Sequence, residues 1–184
     1  MKQPAAARSK RGKSRAGGSS CDALDLLSAA HKSVTAMLRA HERAARTATP
    51  LAKGKSALRI CHQLQILGAL KDEIFYPAAT AVLDGKAAGV LAKARVEHAT
   101  IKDLIDRIED LPVRDELFDW TMKALASHVV REVKLEEQEL FPRLRHSKLD
   151  LEGTGELLAS RRLELGTRRP DSSVFRQGKR VLRG

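Results

Sequence analysis

Aromatic residues are almost missing from this chain: four Phe, one Tyr and one Trp make up 3% of its 184 residues. Cysteine is scarce as well. Cys21 and Cys61 are the whole complement, which excludes a disulfide-dense scaffold and points to a reducing compartment. No apolar run approaches the roughly 20 residues of a membrane span, and the first residues lack the apolar core of a secretory signal, so the expected location is cytoplasmic. There is no glycine-rich phosphate loop, no Cys-x-x-Cys pair and no convincing Ser/His/Asp set. Acid is missing from residues 1–20, which hold six Lys/Arg, and residues 167–184 hold six against the single acid Asp171. These two tails account for the whole net charge of +11. The segment between them is neutral.

Three parts follow from that charge pattern: a basic tail over 1–20, a globular segment over 21–166 and a second basic tail over 167–184. "RSKRGKSR" (Arg8 to Arg15) and "RQGKRVLR" (Arg176 to Arg183) are free of the interleaved aromatics that stack on bases. Nonspecific, salt-sensitive contact with nucleic acid or another anionic surface is the most they support. Solvated tails without a partner are the plainer reading.

What is abundant is Ala, Leu, Glu, Lys and Arg, with Gly and Pro scarce inside the long central segments, a balance that argues for an all-α fold. Four long helical patterns run from about Ser20 (a candidate N-cap) to Arg46, from Pro50 to about Leu83, from Ala88 to Glu109 and from Asp115 to Leu144. A shorter fifth lies between Asp150 and Leu165. Long helices with short breaks imply an up-down-up-down antiparallel four-helix bundle with a short fifth C-terminal helix.

Each helix carries an apolar seam. The seams read Leu24, Leu27, His31, Val34, Leu38; then Ile60, Leu64, Leu67, Lys71, Ile74; then Leu91, Ala94, His98, Ile101, Ile105, Ile108; then Phe118, Met122, Leu125, Val129, Glu132, Glu136, Leu140. Five members are polar: His31, Lys71, His98, Glu132 and Glu136. In a helical hairpin, residues equidistant from the turn lie at one height. His31 and Leu67 are equidistant from Thr49, Lys71 and His98 straddle Asp84-Gly85, and His98 and Glu132 are equidistant from Asp115. All three centres fall on expected turns, so the polar residues should share one layer. Isolated buried charges would each cost several kcal/mol, and inward His and Glu side chains are how bundles hold metals.

The sequence also echoes itself. "ILGALKDEIFYP" (Ile66 to Pro77) returns as "EVKLEEQELFP" (Glu132 to Pro142), and alignment on the prolines sets Leu67 opposite Glu132 and Lys71 opposite Glu136. With "DALDLLSAAHKSV" and "VEHATIKDLI", these segments resemble the hemerythrin-like (HHE cation-binding) domains over roughly residues 22–165. The resemblance implies a non-haem di-iron pocket built from one histidine on helix one, His-x-x-x-Glu on helix two, one histidine on helix three and His-x-x-x-Glu on helix four. His31, His98 and Glu136 match that pattern. Leu67 stands where helix two should supply histidine, Lys71 where it should supply glutamate, and Glu132 where helix four should supply histidine.

A missing ligand weakens a site, but an ammonium beside the metal position opposes any cation there. Lys71 therefore reads as a substitute for the cation's charge, with Glu132 and Glu136, one turn apart, as its counter-ions. A shared proton, or protonation of His31 or His98, balances the remaining negative charge. On this reading no iron is tightly bound, and the bundle is a structural or regulatory protein rather than an enzyme. Two alternatives stand beside it. If Lys71 swings away, His31, His98, Glu132 and Glu136 remain as a metal set for iron, O2 or NO binding or sensing; or the bundle is a scaffold for nucleic-acid-binding tails. Of the other histidines, His62 should face away from the pocket, and His128 either hydrogen-bonds Glu132 or packs between helices. His41 and His146 read as surface residues. Phe75, Tyr76, Phe118, Trp120 and Phe141 read as core packing, and proline at 77 and 142 is tolerated only where a helix ends or kinks.

Overall fold

The computed structural model describes residues 22–167, and among them all regular structure is helical. The all-α expectation holds. Helix α1 spans Ala23–Ala45 and its cap is Asp22, whose carboxylate accepts from the backbone N–H of Leu24 at 2.8 Å and of Asp25 at 2.9 Å. The expected cap Ser20 lies outside the described residues. Helix α2, Pro50–Leu70, opens with proline in its first turn, where the missing N–H costs nothing, and Thr49 caps it. Helix α4, Gly85–Asp110, starts at a glycine with φ of 49°, a conformation that side chains rarely adopt. Helix α5 spans Glu116–Leu135, capped by Asp115, and α7 spans Leu151–Thr167.

Two of these rods are not uniform. After α2 the chain makes a π turn, Lys71–Phe75, then continues as α3, Tyr76–Val82; after α5 it makes a second, Glu136–Leu140, then continues as α6, Phe141–Arg145. The N–H of Tyr76 bonds the carbonyl of Lys71, and that of Phe141 the carbonyl of Glu136. Pro77 and Pro142 come next. A proline has no N–H for the fourth preceding carbonyl and its ring crowds that oxygen. The widened turn moves the carbonyls aside, so each helix passes its proline instead of ending there.

The inward faces bury two apolar clusters. One gathers Leu24, Leu27, Leu67, Leu70, Phe75, Ala94, Leu140, Phe141, Leu144 and others; the other gathers Val34, Leu38, Ile60, Leu64, Ile101, Ile105, Phe118, Leu125, Val129 and others. Helix α7 packs on α1 and α2, and its Leu158 joins the first cluster.

Two surface and core assignments are corrected. His41 is buried, its Nδ1 3.1 Å from Ser56 Oγ, because it continues the inward stripe of Val34 and Leu38. Burial lowers its pKa, more than Asp119 raises it. Trp120 is 63% exposed. Two residues beyond the inward Phe118, it lies about 200° around the helix, and Lys123 Nζ sits 4.6 Å from the ring centre in a cation–π contact.

Candidate functional site

The polar seam residues meet between the two apolar clusters. Lys71, at the head of the first π turn, is fully buried, and its Nζ lies 2.8 Å from Glu136 Oε2 and 3.1 Å from Glu132 Oε2. His31 Nε2 approaches Glu136 Oε2 at 3.1 Å. On the other side His98 Nδ1 lies 3.0 Å from Glu132 Oε1. Leu67 takes no part in these polar contacts and packs within the first apolar cluster.

Three further residues belong to the layer. Tyr76, read from sequence as packing, donates its hydroxyl to Glu136 Oε1 at 2.8 Å and reaches Glu132 Oε1 at 3.4 Å. Residues five apart in an α-helix point about 140° away from each other; the π turn, with its i→i+5 bond, brings Tyr76 round to the side of Lys71. Glu137 Oε1 lies 3.0 Å from His31 Nδ1, and Asp72 Oδ1 lies 3.5 Å from His98 Nε2. The internal echo carried the signal for both: with the prolines aligned, Asp72 falls opposite Glu137, an acid in each copy beside the layer residue.

The electrostatics follow from this packing. Burial pulls the Lys71 ammonium towards losing its proton, but Glu132 and Glu136 outweigh it and hold its pKa above the ordinary lysine value. Burial favours protonated Glu136; Lys71, followed by His31, reverses that and sets its carboxyl well below the usual range. Burial, with Glu136 and Glu132 adding to it, pushes the Tyr76 hydroxyl far above an ordinary phenol, so it stays a donor. The contacts are not all well directed. Lys71 Nζ, Glu136 Oε2, His31 Nε2 and His98 Nε2 lie at ion-pair distance from their partners without hydrogen-bond alignment.

The remaining histidines stay out of the layer. His128 pairs with Glu97 Oε2 at 2.8 Å, not with Glu132, and joins α5 to α4. His62 is half-buried and His146 exposed. Among the described residues no group of three or more His, Cys, Asp or Glu side chains is arranged to hold a metal ion.

The family model of the hemerythrin HHE cation binding domain matches residues 22–144. The chain belongs to that family. The matched residues stop within α6, and α7 lies beyond them. A solved structure, a hemerythrin HHE cation binding domain-containing protein from Mycobacterium kansasii, is similar at a TM-score of 0.66 and 18% identity, over 85% of this chain and 98% of that one. At that identity the likeness speaks for the hemerythrin fold alone. No curated protein matches. No described helix is long and apolar enough to cross a membrane.

Proposed function

We propose that this hemerythrin-like protein has exchanged its bound cation for Lys71 and serves as a non-catalytic structural or regulatory bundle. One observation carries the reading: a fully buried ammonium stands 2.8 Å and 3.1 Å from the two carboxylates that a metal would need. The residues present do not fit a di-iron centre. Helix α2 and the π turn that follows it supply Leu67 and Lys71 in place of two ligands, Glu136 Oε2 already faces both Lys71 and His31, and His98 turns its Nδ1 to Glu132. Adding a divalent cation beside a charged, desolvated lysine sets like charges against each other in a low dielectric.

A second reading, a working iron site for O2, NO or iron sensing, has one observation in its favour. Four buried polar atoms at the centre lack hydrogen-bond alignment, and a metal set with Lys71 displaced would give some of them a partner. The deciding experiment is elemental analysis of protein loaded anaerobically with ferrous iron and then desalted. Near-zero iron is expected; tightly held iron would overturn the substitution by Lys71. The third reading, nucleic-acid binding, rests on tails outside the described residues. Its test is a steep salt dependence abolished by removing both.

A further inference from the structure

We propose that the outer face of His98 forms, with Asp72, a divalent transition-metal site displaced from the buried layer into the cavity between α2 and α4. The cavity, about 320 Å³ in volume, is lined by Gly68, Asp72, His98, Lys102 and Asp106 among others. His98 is only 6% exposed, yet its Nε2 has no hydrogen-bond partner. Its other nitrogen, Nδ1, lies 3.0 Å from Glu132 Oε1. A carboxylate beside Nδ1 takes that proton as its hydrogen bond, which leaves the Nε2 lone pair free. This is the arrangement by which a carboxylate orients a metal-ligating histidine.

The spacing across the gap also suits a bridging metal. Asp72 Oδ1 stands 3.5 Å from His98 Nε2, whereas on the matching side Glu137 closes on His31 at 3.0 Å. A zinc ion about 2.0–2.1 Å from imidazole nitrogen and about 2.0–2.2 Å from carboxylate oxygen, at a tetrahedral angle, holds those donors about 3.3–3.5 Å apart. Gly68 keeps the place open, since a Cβ there would sit 3.4 Å from Nε2 and 3.2 Å from Cε1 of His98. Water from the cavity completes the coordination. Imidazole with carboxylate selects a borderline cation such as zinc, cobalt or nickel over calcium or magnesium.

Lys102 is the obstacle and a weak one. It bonds the other oxygen of Asp72, Oδ2, at 2.9 Å, but its side chain is 58% exposed. Solvent screens it and its stem can swing the charge into water. Lys71 has no such exit.

The site goes beyond the reading of the buried layer, and its test separates the two. Zinc is titrated calorimetrically into metal-free full-length chain while the histidine ring resonances are followed by NMR. The expected result is one zinc that shifts the His98 ring signals, with binding weakened at least about tenfold in Asp72→Asn. Because Asp72 is 40% exposed, that variant keeps its fold even if substitutions of His98 do not. Unmoved His98 signals, zinc held at other histidines only, or equal binding by Asp72→Asn would each overturn the site. Iron that persists in Asp72→Asn belongs to the buried layer and counts against the Lys71 reading, not against this one.

Discussion

Lys71 and Glu136 respond to pH in opposite windows. The carboxyl of Glu136 is depressed on folding, so its share of stability is present above an unfolded value of about 4.3 and fades as pH falls towards the folded one. The ammonium of Lys71 is raised, so its share is full below about 10.4 and is lost as pH climbs through the folded value. Melting of the parent should therefore vary little between these limits on their account. In Lys71→Met the two carboxylates lose their common partner, at a cost of about 3–5 kcal/mol for breaking a buried pair. Their uptake of a proton then favours the folded state at low pH, so the variant's melting temperature should fall as pH rises from 5 to 8. A variant as stable as the parent across that range would show that the ion pair contributes nothing. Tyr76→Phe removes a hydroxyl bonded to an ionised carboxylate, and urea denaturation should register a loss of about 1.5–3 kcal/mol.

Among the elements, α7 docks through an apolar face on which Leu158 is buried and Leu151 and Leu165 pack against the first cluster. Leu158 is 2% exposed in the first apolar cluster, while Arg161 makes surface pairs with Glu73 at 2.7 Å and with Glu164 at 2.8 Å. Leu158→Ala should cost about 2–5 kcal/mol and Arg161→Ala, a surface pair screened by solvent, clearly less, measured by the same denaturation. The reverse order would mean that α7 is clamped electrostatically. How much of this was legible in the sequence differs by element. The meeting of His31, Lys71, His98, Glu132 and Glu136 could be read from seam spacing and turn centres, because straight helices keep height proportional to residue number. The π turns could not be read: a one-residue slip in hydrogen bonding leaves no trace in composition, and only the prolines hinted that something had to give. Tyr76 was missed for that reason. His41 escapes for another reason, since it lies beyond the last apolar residue of the α1 seam, and Trp120 because its bulk suggests burial where its angle on the helix does not.

At the scale of the molecule, the framework around the layer is that of the family. The triple substitution Leu67→His, Lys71→Glu, Glu132→His restores the family's donor pattern without changing the backbone that carries it. Anaerobic loading followed by elemental analysis should then find iron in the variant where the parent retains little. Failure of a folded variant to take up iron would mean that the helices have also moved.

The polar layer has a consequence for how the helices find one another. The two apolar clusters on either side of it are built mostly from leucines, isoleucines and valines, which tolerate sliding better than charges do. A slide of one turn, about 5.4 Å, would carry the ammonium of Lys71 off both carboxylates and into hydrocarbon, with Glu132 and Glu136 left bare. Alignments one turn out are thus penalised at three charges at once. The layer works as the notch in a key, admitting a single register to a core that would otherwise accept several.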